Sequence, residues 1–196
     1  MRVVIVVAAV LCAAVGCGGE AGSGRAGSPT PEAGSRDVGV LAAAEAADTA
    51  FTYDQAAAPA GAQLALEVVE GDGTTTVRLA ADLLQPNRGY AAHAHTDPCG
   101  RKSTDAGPHY QHEIDPAATP ERPSVDPAYA NPRNEIWLEL VTDGQGNGRA
   151  ETTVPFTFGD RVPGSIVLHE QPKTETAQGR AGSAGGRVAC LTASFR

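Results

Sequence analysis

Four of the five histidines lie where imidazole chemistry can be organised. His93 and His95 are spaced i, i+2, which on a strand puts both rings on one face. His109 follows Gly107-Pro108 in a proline-rich stretch, and His169 ends the run Ser165-Ile166-Val167-Leu168. Imidazole clusters suit copper, zinc and iron. An H-x-H pair alone is a weak sign, since two histidines on one surface are more often solvated than metal-bound.

The cysteines divide by position. Met1-Arg2 is a minimal positive leader end, Val3 to Val15 is an unbroken apolar run, and Ala14-Val15-Gly16-Cys17 reads as a lipobox. Residues 1–16 are therefore expected to be a lipoprotein signal peptide, with Cys17 receiving lipid after cleavage. The alternative is an ordinary cleaved secretory signal. Either reading exports the protein, and the first anchors it at the cell membrane surface without spanning. Cys12 is lost with the signal. Cys99 and Cys190 remain, an even pair in an oxidising compartment, so one disulfide is expected, with two free thiols as the alternative.

The elements that must position these residues read mostly as strands. Residues 17–48 are expected to be a flexible tether rich in Gly, Ala, Ser and Pro, with a short helix conceivable from Val38 to Asp48, and residues 49–196 the folded domain. Gln63 to Glu70 and Thr74 to Leu84 alternate apolar and polar residues around Gly71-Asp72-Gly73, a hairpin pattern. Gly89 to His95, Glu135 to Thr142, Arg149 to Phe158, Ser165 to Leu168 and Val188 to Ser194 are further strands, and Ala50 to Tyr53 opens the set. About eight short strands with regular turn signals indicate an all-β sandwich or barrel. Two loops interrupt them. Thr96 to Asn134 holds prolines at 98, 108, 116, 120, 123, 127 and 132, which excludes a central strand there. A loop of that length in a compact domain is usually functional. The second, Gln171 to Gly186, is polar and Gly-rich.

Charge and composition exclude other classes. The chain of 196 residues has a formal net charge of −8, against nucleic-acid binding through a broad basic face. A composition of 23 Gly and 14 Pro argues against a mainly helical protein.

His93-Ala94-His95, Cys99, Gly107-Pro108-His109-Tyr110, Ser165 through Glu170, and Ala184-Gly185-Gly186-Arg187-Val188-Ala189-Cys190 occur in an order that resembles the copper/zinc superoxide dismutases. The resemblance covers roughly Thr49 to the C-terminus. It implies an eight-stranded Greek-key β-barrel or sandwich with two long functional loops. It implies His93, His95, His109 and His169 as copper ligands and Cys99–Cys190 as the disulfide pinning the ligand-bearing loop. Arg187 would attract and orient the superoxide anion, and His109 would exchange a proton as the reaction turns over.

The departures concern zinc. The loop offers only His112, at the wrong spacing, with Glu113 and Asp115 beside it. Asn134-Glu135-Ile136-Trp137-Leu138-Glu139 stands where the later zinc ligands belong. Glu170-Gln171-Pro172-Lys173 lacks the aspartate that links the two metal sites, and Leu191 replaces a glycine. The expected pattern is that of copper-only relatives: an exported copper-dependent dismutase acting on superoxide, with no zinc, and with a copper donor as a candidate partner. Two other readings use the same fold. One is a surface copper-storage or delivery protein with little dismutation; the other is a metal-free interaction module.

Overall fold

The structure is a computed structural model describing residues 34–196. The expected signal peptide, Cys12, Cys17 and the first part of the expected tether lie outside the described residues. Two antiparallel sheets make up the domain. One has the order β1 (Gly34–Val40), β3 (Gln63–Gly71), β4 (Thr74–Asp82), β7 (Gly148–Val154). The other has the order β2 (Ala50–Thr52), β9 (Arg187–Thr192), β8 (Ser165–His169), β5 (Gly89–His95), β6 (Trp137–Val141). The all-β expectation holds, with nine strands among the described residues.

The additional strand corrects the domain boundary. Residues 34–40 pair with β3 along their whole length, from Gly34 opposite Val69 to Val40 opposite Gln63. This segment is neither tether nor helix, and the folded part includes it. Its pattern is hard to read because the buried position is a glycine. A Cβ on Gly39 would stand 2.6 Å from Ala50 Cβ and from Leu191 Cδ1, so no larger residue fits, while Val38 and Val40 point to solvent. Ala42 continues with a bridge to Phe51 and is followed by turns.

One apolar core fills the space between the sheets. Leu64, Leu66, Val68, Val77 and Leu79 come from the first, and Tyr90, Ala92, Ala94, Leu138, Leu140, Ile166 and Leu168 from the second. Period-2 alternation sends the odd-numbered residues of β5 to the opposite, outer face. Register is pinned by this burial: a one-residue slip of β5 would drive His93 and His95 into the core and expel Ala92 and Ala94. Across the outer face, Trp137, His93, Val167 and Cys190 are successive partners on neighbouring strands. Both long loops cover this face, which is why every residue from Tyr90 to His95 is buried.

Candidate metal centre

His93 and His95 stand on the outer face of β5, as their spacing requires. His109 joins them because residues 108–110 run back along the end of β5. Tyr110 N–H donates to Ala94 O at 2.8 Å, and His95 and His109 form a bridge. His169 arrives at the end of β8. One ligand atom from each of the four histidines lies within 4.8 Å of the others, the group of that kind found among the described residues.

In each ring one nitrogen is engaged and the other points inward. His93 Nε2 meets Thr174 Oγ1 at 2.8 Å, and His95 Nδ1 donates to Gly107 O at 2.9 Å. His109 Nδ1 donates to Glu135 Oε2 at 2.9 Å, and His169 Nδ1 lies 3.4 Å from Gly185 O. His95 Nε2 and His169 Nε2 approach to 3.4 Å. His93 Nδ1 is buried with no hydrogen-bond partner. A buried polar atom without a partner costs on the order of 1–3 kcal/mol. A cation among the four nitrogens would satisfy it, and neutral imidazoles with their far nitrogens held are the form in which histidine ligates a metal. The residues therefore fit a copper or zinc ion. Burial, then the neighbouring His109, keeps His93 and His95 well below the usual imidazole pKa, and for the same two leading reasons His169 falls to about 3.

Glu135 is the residue sequence reasoning missed. It is 2% exposed and faces the cluster just before β6. Its Oε2 accepts from His109 Nδ1 and from Trp137 Nε1 at 2.7 Å, and its Oε1 accepts from Gln111 Nε2 at 2.8 Å. Three partners converge on its two oxygens, which use the acceptor capacity of the carboxylate. Asn134-Glu135-Ile136-Trp137 is thus a constructed acceptor for the far side of His109. The one available signal was an acidic residue two positions before a tryptophan at the start of a strand.

Arg187 reaches the same face through a bulge. β8 and β9 pair Val167 with Cys190 and Leu168 with Ala189, but His169 with Arg187, skipping Val188. Val188 and Ala189 both enter the core. Strict alternation would have turned Arg187 inward; the extra residue turns it out beside His169. Its Nη1 and Nη2 donate to Ser103 O and Gly107 O, each at 2.6 Å. Gly107 O thus orients both the guanidinium and His95. Gly107 has φ 71°, and a Cβ there would collide with Asp97 and Thr96. Cys99 is bonded to Cys190 and ties this loop to β9. Tyr53 Oη adds a hydrogen bond to Gly100 O at 2.9 Å.

A cavity of about 590 Å³ opens over the cluster, with His109, His169, Glu135 and Arg187 on its floor and Ile114 and Val125 among its walls. His112 does not join the cluster. Its ring is exposed and stacks on Phe156 at 4.3 Å. Asp115 spends its carboxylate on Ala117 N–H and the Ser124 hydroxyl, and Glu113 is exposed.

No family's sequence profile matches this chain, and no curated protein matches it. A solved structure, Cu/Zn superoxide dismutase from Brucella abortus, is similar with a TM-score of 0.51 and 18% identity over 81% of this chain and 99% of the other. The likeness is one of fold.

Proposed function

We propose that this chain is an exported, copper-dependent superoxide dismutase without a zinc site. The observation that carries the reading is a guanidinium placed beside four convergent imidazoles, two of which, His109 and His169, line an open cavity together with Arg187. A storage site needs the imidazoles but not the arginine.

When bound, copper supplies the one-electron couple through which two superoxide anions and two protons become dioxygen and hydrogen peroxide. His93 Nδ1 and the Nε2 atoms of His95, His109 and His169 would hold it. Arg187 binds and orients the incoming anion; its fixed position means no reorganisation accompanies binding. In a domain of net negative charge it is the local positive focus. His109 takes and gives up a proton at Nε2 while its Nδ1–H remains on Glu135. The carboxylate keeps the ring aimed at the cluster. Asn134, Ile136 and Trp137 offer no zinc ligand on that side.

The test is elemental analysis after loading with both metals and dialysis against a weak chelator, followed by a superoxide assay. About one copper per chain, no retained zinc and rapid dismutation are expected. Stoichiometric zinc beside copper would overturn the copper-only assignment, and copper without dismutation would favour storage.

The same reading includes residues 1–16 as signal peptide and Cys17 as the lipidated first residue, followed by a tether to the sheet. A disulfide between Cys99 and Cys190 supports an oxidising compartment. Cys17→Ser in the full chain should move the protein out of the membrane fraction or leave it unprocessed. An unmodified mature N-terminus elsewhere, read by mass spectrometry, would replace lipidation by plain secretion.

A further inference from the structure

His93 differs from the other three histidines in what holds it. His95 and His169 face backbone carbonyls and His109 a carboxylate, all acceptors only. His93 Nε2 faces the hydroxyl of Thr174, at 2.8 Å, with both residues buried. A hydroxyl either donates or accepts, so the contact alone leaves the ring's proton unassigned. The other nitrogen decides it. Nδ1 is buried without a partner. A proton there would leave an unsatisfied N–H donor among the neighbouring imidazoles and would block ligation. A proton on Nε2 is donated to Thr174 Oγ1 and leaves the Nδ1 lone pair facing the cluster.

We propose that Thr174 is a positioning residue whose hydroxyl accepts the Nε2–H of His93 and so fixes the tautomer with Nδ1 free to ligate. Thr174 is itself held from the sheet. Its backbone N–H donates to Glu139 Oε1 at 3.1 Å, and Glu139 lies on β6, the strand paired with β5 through His93 and Trp137. Ring and acceptor therefore hang from adjacent strands, although 81 residues separate them in sequence. The loop carrying Thr174 is the polar Gln171 to Gly186 segment, which thereby gains a task at the metal centre.

The inference deepens the proposed function and rests on it only for metal affinity; the tautomer is measurable without metal. Long-range ¹H–¹⁵N spectra of the metal-free full chain at neutral pH should show His93 protonated at Nε2. Copper affinity, read by competition with a chelator, should fall about 10-fold or more in Thr174→Val. Thr174→Ser should stay within about 3-fold of the parent, because the hydroxyl is what matters. An Nδ1–H tautomer in the unaltered protein would overturn the proposal, even if Thr174→Val failed to fold. So would unchanged affinity in Thr174→Val, or an equal loss in Thr174→Ser. A chain that binds no copper but shows the Nε2–H tautomer would refute the dismutase reading and leave the role of Thr174 standing.

Discussion

Arg187 and Glu135 flank the four imidazoles and carry opposite tasks. Reversing the charge in Arg187→Glu should leave copper stoichiometry near normal and slow the reaction with superoxide by about 10- to 1,000-fold, the range that electrostatic steering covers. The dependence of the rate on salt should change with it, because screening acts over roughly 10 Å at 0.1 M. Pulse radiolysis at two ionic strengths checks both, and an unchanged rate would reduce Arg187 to an ordinary surface residue. Glu135→Gln keeps the shape but replaces one acceptor oxygen by a donor amide. With Gln111, His109 and Trp137 all donating to that position, one N–H must lose its partner. The expected cost is about 1–3 kcal/mol of stability, measured by denaturant unfolding of the metal-free protein. A neutral substitution would mean that water, not the carboxylate, serves these donors.

At the scale of elements, the site depends on a loop fastened from several sides. The Cys99–Cys190 bridge closes a sequence separation of 91 residues, and in the chain-entropy picture a loop of that size gives about 4–5 kcal/mol. The same bridge holds the segment whose Ser103 and Gly107 carbonyls position Arg187. Reduction should therefore lower both the unfolding midpoint and the rate with superoxide. Comparing denaturation curves with and without reductant tests the first, and coincident curves would rule the contribution out. Most strands were legible from alternation. β3, β4 and β5 match their patterns almost to the residue, because one face is apolar and the turns carry Gly. β1 was not, since its inward position is filled by Gly39 and its outward ones by valines, the inverse of an amphipathic pattern. Trp137 faces outward on β6 yet is buried beside Glu135 and His93, which alternation alone does not show.

For the molecule as a whole, the metal-free state should be acid-labile. His169 has its folded pKa lowered to about 3 by burial and by His109, and His93 and His95 are lowered well below the ordinary 6.5. Above pH 6.5 both folded and unfolded chains hold these rings neutral, and nothing is lost. Between pH 6.5 and about 3 the unfolded chain binds protons that the folded chain does not, so stability falls as pH falls. Each pH unit in that window removes about 1.4 kcal/mol for every histidine kept neutral. The unfolding midpoint of the metal-free chain should be clearly lower at pH 5 than at pH 7.5; an equal or higher midpoint at pH 5 would contradict the buried neutral cluster.

Some of this was determined by the chain in one dimension. The i, i+2 histidines had to share a face because a strand alternates, and two cysteines remaining outside the leader made a disulfide the default. The order of histidines, cysteines and Arg187 carried the family resemblance, and that resemblance implied four candidate ligands, whose nitrogens the fold brings within 4.8 Å of one another. Tertiary structure decided the rest. Whether Arg187 faced the core or the cluster turned on a single bulge at Val188, which has no signature in a sequence of small apolar residues. The acceptors for His109 and His93 lie 26 and 81 residues away, in segments that read as lost zinc ligands and as a polar loop. A hydrogen bond depends on where two strands and their loops come to rest, and that is set by the packing of the whole sandwich.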